Sequence, residues 1–440
     1  MTSRSPLEPG SVAANPIESS LIESNLIESG SVAANPTQSN SIRLLWAGFA
    51  LLYLAFALLL KGVAPTPDEI VHYVQINRFD HGDYRIVEQY LTMLPGYHAL
   101  VAAILWVSDQ RSLAAARLVT AMIGLATIGA FHLLRSRVWP QENDGIATLQ
   151  FALLPILFPY DFLVYTDALS LALVLAACAA TLRRRDVLSG ALMIVAMCVR
   201  QTNVVWLPLL AIFALAPLRL DALPPPRTLA QKTWPYALGA ALFVAYWIWN
   251  GHISLSTEQS TMHPDLSAHV GNLYFALFLC AIFLPFQVAT GLPGFAHRVA
   301  SRPWLAILPL LSMAGCMLLF RVDHPFNLAT QPLLLHNWVI QFASSNWLLQ
   351  ATFAAIATIA ACGLAMTRLR PEGAVLLYPL TAVALGAFWM VEHRYALIPI
   401  ALWLAFRKAG SRRVEMATTA LWFAFAVYFC LGIYFGYFGL

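Results

Sequence analysis

Lys61 to Tyr73 reads KGVAPTPDEIVHY: a long apolar run stops, and two adjacent carboxylates, Asp68 and Glu69, follow with His72 one helical turn further on. Thr66-Pro67-Asp68-Glu69 has the form of a capping box with proline at the first helical position, so Glu69 either reaches back to the Thr66 amide or shares chemical work with its neighbour. Asp68 falls outside the box and is free to orient or deprotonate a hydroxyl. The helix expected here carries Ile70, Tyr73 and Val74 at helical spacing and ends at FDHGDY. That is the pattern of an amphipathic segment lying on a bilayer surface, which would hold the carboxylate at the water–lipid boundary.

Further ionisable groups interrupt apolar runs: Asp167 in FLVYTDALS, and Arg200 with Gln201 and Asn203 in VRQTNVVW. A charge at the centre of a membrane helix costs about 3 kcal/mol, so such groups are paired or functional. Arg200 reads as a snorkelling anchor, as a buried partner of Asp167, or as a ligand for an anion. RVDHPFNLA (321–329) offers Arg321, Asp323 and His324, taken alone an ordinary polar loop. MVEHRYALIP (390–399) packs Glu392, His393, Arg394 and Tyr395 at the start of an apolar run, more than an anchor needs.

The elements that must position these groups are membrane helices. Hydrophobic residues make up 59% of the 440 positions and charged ones 11%, against about 25% charge in a soluble domain. Apolar stretches near the roughly 20 residues that cross a hydrocarbon core recur from Leu44 onward. They are continuous rather than alternating, so helices fit and a barrel does not. Expected spans are 44–62, 92–108, 113–134, 146–160, 167–182, 187–214, 235–250, 271–290, 304–320, 346–366, 374–391, 394–407 and 418–438, an all-α polytopic bundle of about 11–13 transmembrane helices. The positive-inside rule puts Arg183 to Arg185 on the cytoplasmic side, and Arg135 and Arg137 want the same side. Between them, residues 146–167 carry two prolines, Asp161 and Asp167. This is a poor simple crossing, read as a broken or short helix lining a cavity.

Residues 1–41 repeat SVAANP and LIES and are rich in Ser, Asn, Pro, Glu and Gly, the composition of a disordered tail ahead of a membrane domain at 42–440. The tail lacks the basic start and apolar core of a signal peptide, so the first membrane helix is expected to be an uncleaved anchor. The six cysteines all lie inside apolar runs with no metal spacing, which fits packing. Only three residues are lysine, and no nucleic-acid patch is visible.

The constellation resembles the GT-C superfamily of membrane glycosyltransferases, whose hallmark is an Asp-Glu pair directly after the first span. The finer resemblance is to the dolichyl-phosphate-glucose α-1,2-glucosyltransferase family. It is carried by DEIVHYVQINRFDHGDY (68–84), MLPGYHAL (93–100), FLVYTDALS (162–170), VRQTNVVW (199–206), WNGHISL (249–255), DHPFNLA (323–329) and EHRYALIP (392–399), in family order. Two departures stand out. After WNGHISL the chain reads STEQSTMHPDLSAHVGNLYF, longer than in the family and without its Gly-Asp, and the family's histidine-rich loop is reduced to DHPFNLATQPLLLHNW. The resemblance therefore implies kept donor chemistry with a different acceptor, as in a bacterial relative.

A polyprenyl-phosphate sugar carries its own leaving group, so the enzyme implied by the resemblance must align an acceptor hydroxyl, take its proton and steady the departing phosphate. Asp68 and Glu69 are the expected catalytic carboxylates. Arg394, Arg200 and His324, in that order, are expected to meet the donor phosphate, with His72, Asp167, Gln201, Asn203, Glu392 and Tyr395 completing the substrate site. The implied reaction inverts the sugar carbon and needs no metal or cofactor. Implied partners are a polyprenyl- or dolichyl-phosphate sugar, a glycan or lipid-linked glycan acceptor, and the bilayer, with no nucleic acid. The implied location is a bacterial inner membrane with its site facing the periplasm, or the lumenal face of the ER membrane in a eukaryote, with the surface helix in the first exoplasmic loop. A transporter or lipid-sugar flippase is the competing class, although no internal symmetry of related halves is visible. Space discriminates: an enzyme gathers Asp68, Asp167, Arg200 and Arg394 on one membrane face, whereas a transporter spreads such groups along a midplane path.

Overall fold

The computed structural model describes residues 36–86, 91–142, 145–216, 224–256, 260–265, 267–329 and 336–438. The expected disordered tail lies outside the described residues up to Pro36, where a helix begins. The chain divides into two units, residues 1–48 and Phe49–Leu440. Of the first, the described part is the opening of a helix that continues into the second, and every side-chain contact below belongs to the second.

The helices are α1 (Pro36–Leu60), α2 (Pro67–Asp80), α3 (Gly96–Val107), α4 (Leu113–Val138), α5 (Ile146–Ala152), α6 (Asp167–Leu182), α7 (Asp186–Val199), α8 (Leu207–Leu215) and α9 (Pro226–Asn250). They continue as α10 (Gly271–Phe283), α11 (Pro285–Ser301), α12 (Ile307–Leu319), α13 (Pro325–Leu328), α14 (His336–Ser344), α15 (Trp347–Leu364), α16 (Leu377–Gly386), α17 (Leu397–Phe406) and α18 (Arg412–Tyr434). Extended pairing among the described residues is confined to one bridge, Leu369 with Arg407. Four helices, α1 from Ile42, α4, α15 and α18, are long and apolar enough to cross a bilayer, or five if α10 and α11, bent by 104°, form one broken span. The protein is an integral membrane protein built as an all-α bundle. The other apolar helices, of 10–17 residues, fall short of the roughly 20 that a straight crossing needs, so the expected spans are in large part short or broken helices.

Three of those spans take a form that matters for function. The span expected at 92–108 is α3, which packs along α2 through Ile76, Val101 and Leu105. Tyr73 donates to the Arg111 carbonyl at 2.9 Å and Arg111 pairs with Asp80 at 3.0 Å, so this segment starts and finishes at the Asp68 end of the bundle. The span expected at 187–214 is a hairpin, α7 and α8 joined by a 3-10 turn at Gln201–Trp206. Arg200 turns it toward Thr166 and Asp167, and Pro208 opens α8 where no amide is needed. At the far end Arg184 donates to the carbonyls of Ala214 and Ala216.

Residues 146–166 form the broken crossing that the charges call for. Gln150 at one end meets Glu415, and at the other Val164 N–H donates to Glu69 and Tyr165 bonds Thr66. The stretch therefore runs the length of the bundle and returns Arg135 and Arg183 to the same end, the arrangement that the positive-inside rule asks of them. Its irregular backbone is tolerable because Thr148 to Ala168 are all buried among neighbouring helices.

Close helix contact is made by glycine. A Cβ on Gly363 of α15 would stand 2.5 Å from the Val288 carbonyl oxygen of α11, backbone that cannot give way, whereas one on Gly129 of α4 meets nothing within 4 Å. Gly363→Ala is expected to cost about 1–3 kcal/mol and lower the thermal midpoint of the purified protein, while Gly129→Ala leaves it level or slightly raised. Equal midpoints for the two variants would contradict this packing.

Candidate active site

The site is assembled at the Asp68 end from the start of α2, the end of the broken crossing, the apex of the α7–α8 hairpin and the 3-10 turn at His393–Ala396. Thr66 caps α2 with its side chain, and the capping box is complete: Glu69 N–H donates to Thr66 Oγ1 at 3.3 Å and Thr66 N–H to Glu69 Oε2 at 3.4 Å. Glu69 is fully buried. Arg117 of α4 donates Nε to Oε1 at 2.7 Å and Nη2 to Oε2 at 2.5 Å, and Val164 N–H adds a bond of 2.9 Å to Oε1. With four donors on a carboxylate closed to solvent, Glu69 holds structure together and presents no face to a substrate.

Asp68 is the opposite, its side chain 52% exposed. Arg394 Nη2 reaches Asp68 Oδ2 at 3.0 Å while Nε bonds Glu392 Oε1, and the guanidinium lies 5.1 Å from the Tyr165 ring centre and 5.7 Å from that of Tyr160. Two carboxylates and two aromatic faces thus set the plane of Arg394. Glu392 is positioned through its backbone, its N–H donating to Asn272 Oδ1. Asp167 and Arg200 form the pair foreseen as one reading of the sequence: Nη2 to Oδ2 at 3.0 Å, with Nε to Thr166 Oγ1 at 2.9 Å. Asp68, Arg394, Tyr165, Thr166, Arg200 and Asp167 therefore form one chain of contacts on one end of the bundle.

His72 lies under this chain. Its Nδ1 stands 3.0 Å from His98 Nε2, so one ring donates and the other accepts. Burial first, then the Arg394 and Arg200 charges, push its pKa down to about 3. The imidazole is neutral and takes part as packing and hydrogen bonding, not as a cation for phosphate.

Several expected substrate residues serve the scaffold. Gln201 accepts from Leu94 N–H and donates to the Thr92 and Ile253 carbonyls. Asn203 donates to Ser170 Oγ and the Ala196 carbonyl. Tyr395 stacks on Phe388 at 4.0 Å. His324 donates Nε2 to the Met262 carbonyl and accepts from Phe326 N–H on Nδ1, so both nitrogens are occupied, and its pKa is lowered, chiefly by burial. It fastens loops together as a neutral ring rather than offering a positive charge.

The sequence reading passed over Arg117, Tyr160, Tyr165, Asn272 and His263. Arg117 had a usable signal, an arginine inside an apolar run. Tyr160 and Tyr165 had none, since aromatics are common in membrane helices. His263 sits in the divergent loop, its ring 6.0 Å from that of His324. Burial and the neighbouring His324 lower its pKa to about 4, with the Asp68 and Arg394 charges also acting on it.

An all-helical membrane bundle with a carboxylate–guanidinium site at one end defines the class. Residues 63–222 and 218–405 match the model of the DIE2/ALG10 family, and the chain belongs to that family. It is 28% identical over 187 residues to an Arabidopsis thaliana Dol-P-Glc:Glc(2)Man(9)GlcNAc(2)-PP-Dol alpha-1,2-glucosyltransferase, a match covering 38% of this chain and 36% of the relative. It is 27% identical to the Yarrowia lipolytica protein of that name over 60% of this chain and 58% of the relative, and 25% identical to a Homo sapiens one over 51% and 56%. The chain thus spans between 36% and 58% of the length of these curated relatives. Among solved structures, an Archaeoglobus fulgidus oligosaccharyltransferase tethered to an acceptor peptide aligns over 86% of this chain and 55% of its own at 12% identity and a TM-score of 0.35.

Two measurements check the site. Glu69→Gln keeps a capping side chain but strands the Arg117 charge, so it is expected to cost about 3–5 kcal/mol; Glu69→Gln with Arg117→Met should recover part of that loss in thermal unfolding. His72 has its folded pKa near 3, below the ordinary value. The unfolded chain therefore takes up the proton first, and stability from this group is complete above about pH 6.5 and falls by about 1.4 kcal/mol per unit below it. Thermal midpoints between about pH 7 and about pH 5 should fall more steeply for the parent than for His72→Gln; parallel curves would remove His72 from the account.

Proposed function

We propose that the protein is a membrane glycosyltransferase moving a hexose, glucose by analogy with the names of its relatives, from a polyprenyl-phosphate donor to a hydroxyl of a glycan or lipid-linked glycan. The observation that carries this reading is the Asp68–Arg394 pair, a half-exposed carboxylate 3.0 Å from a guanidinium set by aromatic faces. Asp68 orients the acceptor hydroxyl and takes its proton late, as the new bond forms and the hydroxyl acidifies. The acceptor oxygen attacks the anomeric carbon opposite the phosphate, the sugar–phosphate bond breaks, and polyprenyl monophosphate leaves with the electron pair. Attack from the opposite face inverts that carbon. Arg394 meets the phosphate oxygens with the planar fork it now turns to Asp68 and Glu392, and Arg200 stands behind it. Glu69 is a positioning residue that holds Asp68 at the start of α2.

The basic end of the bundle, with Arg135, Arg137, Arg183 to Arg185, Arg407 and Lys408, supports a cytoplasmic placement by the positive-inside rule. Asp68 then faces the exoplasmic side, the periplasm in a bacterium. The gathering of the ionisable groups at one end supports an enzyme over a transporter.

Asp68→Asn should lower sugar transfer by about 10²–10⁴. Binding of the polyprenyl-phosphate sugar should be kept or tightened, since Arg394 loses a competing carboxylate. Transfer rates and donor binding measured on the purified variant test both halves, and near-parental transfer would sink the assignment of Asp68.

A further inference from the structure

A cavity of about 360 Å³ opens at the basic end, far from Asp68, where α4 finishes and α18 begins. Its polar lining is Arg135, Gln141, Glu142, Lys408, Arg412 and Glu415. Both carboxylates are already satisfied within the protein. Glu142 takes Arg135 Nη2 at 2.6 Å and the Ala409 N–H at 3.1 Å. Glu415 takes Arg407 through both Nη atoms, at 2.7 and 2.6 Å, together with Gln150 and the Gly410 N–H. Lys408 and Arg412 make no ion pair among the described residues, yet both line the cavity.

The surroundings favour an anion and set its depth. The Lys408 backbone is pinned by the Arg368 carbonyl at 2.8 Å, so its side chain starts from a fixed point. The amino end of α18, a 23-residue helix, contributes positive partial charge from its first amides. Both α4 and α18 are long enough to cross a bilayer, so a cavity between their ends lies at the level of lipid headgroups, and basic pockets between membrane helices at that level suit phosphate. Scattered surface arginines would need no cavity with its carboxylates already neutralised.

We propose that this cavity binds a phosphate group, held by Lys408 and Arg412 over the Arg135–Glu142 and Arg407–Glu415 pairs, and supplied by an anionic phospholipid or by a soluble phosphate. Bound there, it ties the end of α4 to the start of α18. The site is separate from the sugar-transfer reading and stands or falls without it.

The test uses the full chain purified in detergent, with thermal unfolding and native mass spectrometry after adding phosphatidylglycerol, phosphatidylcholine or inorganic phosphate. Phosphatidylglycerol should raise the midpoint and stay bound while phosphatidylcholine does neither. Lys408→Ala and Arg412→Ala should each weaken that binding about tenfold, the scale of one charge-assisted hydrogen bond, whereas Arg137→Ala, an exposed cation outside the lining, should not. Protection by inorganic phosphate with the same dependence on Lys408 and Arg412 supports the site and names a soluble phosphate as its source. Equal effects of the two lipids without protection by phosphate, or equal losses from Arg137→Ala and Arg412→Ala, overturn the proposal, because either result reduces the effect to the general field of the basic end.

Discussion

The bond between Arg117 and Glu69 is the constraint on which the rest of the site depends. Arg117 spends two of its donors on Glu69 and directs Nη1 at the carbonyls of Leu60, Lys61 and Val63. The Leu60 oxygen is one that the end of α1 leaves without a partner inside the helix, and the other two belong to the turn that follows it. Glu69 in turn closes the cap of α2 and takes the Val164 amide. One buried pair thus fixes four segments against each other: the end of α1, the start of α2, the body of α4 and the exit of the broken crossing. A charge pair in so dry a place is tolerable because nearly every donor and acceptor on it is used. Asp68, one residue before Glu69, inherits that fixed position while its own side chain stays open.

Around Asp68 the charges alternate. Arg394 lies between Asp68 and Glu392, and Arg200 answers Asp167. Arg394 and Arg200 each have a carboxylate and an aromatic or hydroxyl neighbour. His72 and His324 escape the cost of charge by staying neutral, since burial and the nearby arginines disfavour protonation of His72. In the proposed reaction, a donor phosphate that displaces Asp68 from Arg394 would release a carboxylate beside the acceptor hydroxyl.

Much of the fold was legible because lipid restricts what a chain can do. Runs of apolar residues with few charges had to be helices, and the capping box at Thr66–Glu69 announced where α2 begins. The proline-bearing stretch 146–167 declared itself a poor crossing. The hairpin at Arg200 and the surface packing of α3 were not legible, since an apolar helix of 12–14 residues has the same composition whether it crosses, turns back or lies along a neighbour. Only the partners decide: Asp167 and Thr166 for Arg200, and Ile76 with Asp80 for α3.

The sequence by itself determined an all-helical membrane protein, the family motifs, and the short set of ionisable residues from which any site had to be drawn, because desolvation makes each such group in an apolar chain conspicuous. Tertiary structure alone decided their roles. Asp68 and Glu69 are adjacent and chemically alike, and they differ because α4 brings Arg117 against one and the turn at His393–Ala396 brings Arg394 against the other. Gln201 and Asn203 look like ligand groups in the chain, but the Thr92 and Ile253 carbonyls take up the amide of the first, and the Ser170 hydroxyl and Ala196 carbonyl that of the second. Contacts over long separations set burial and pairing, and no local pattern of residue types records them.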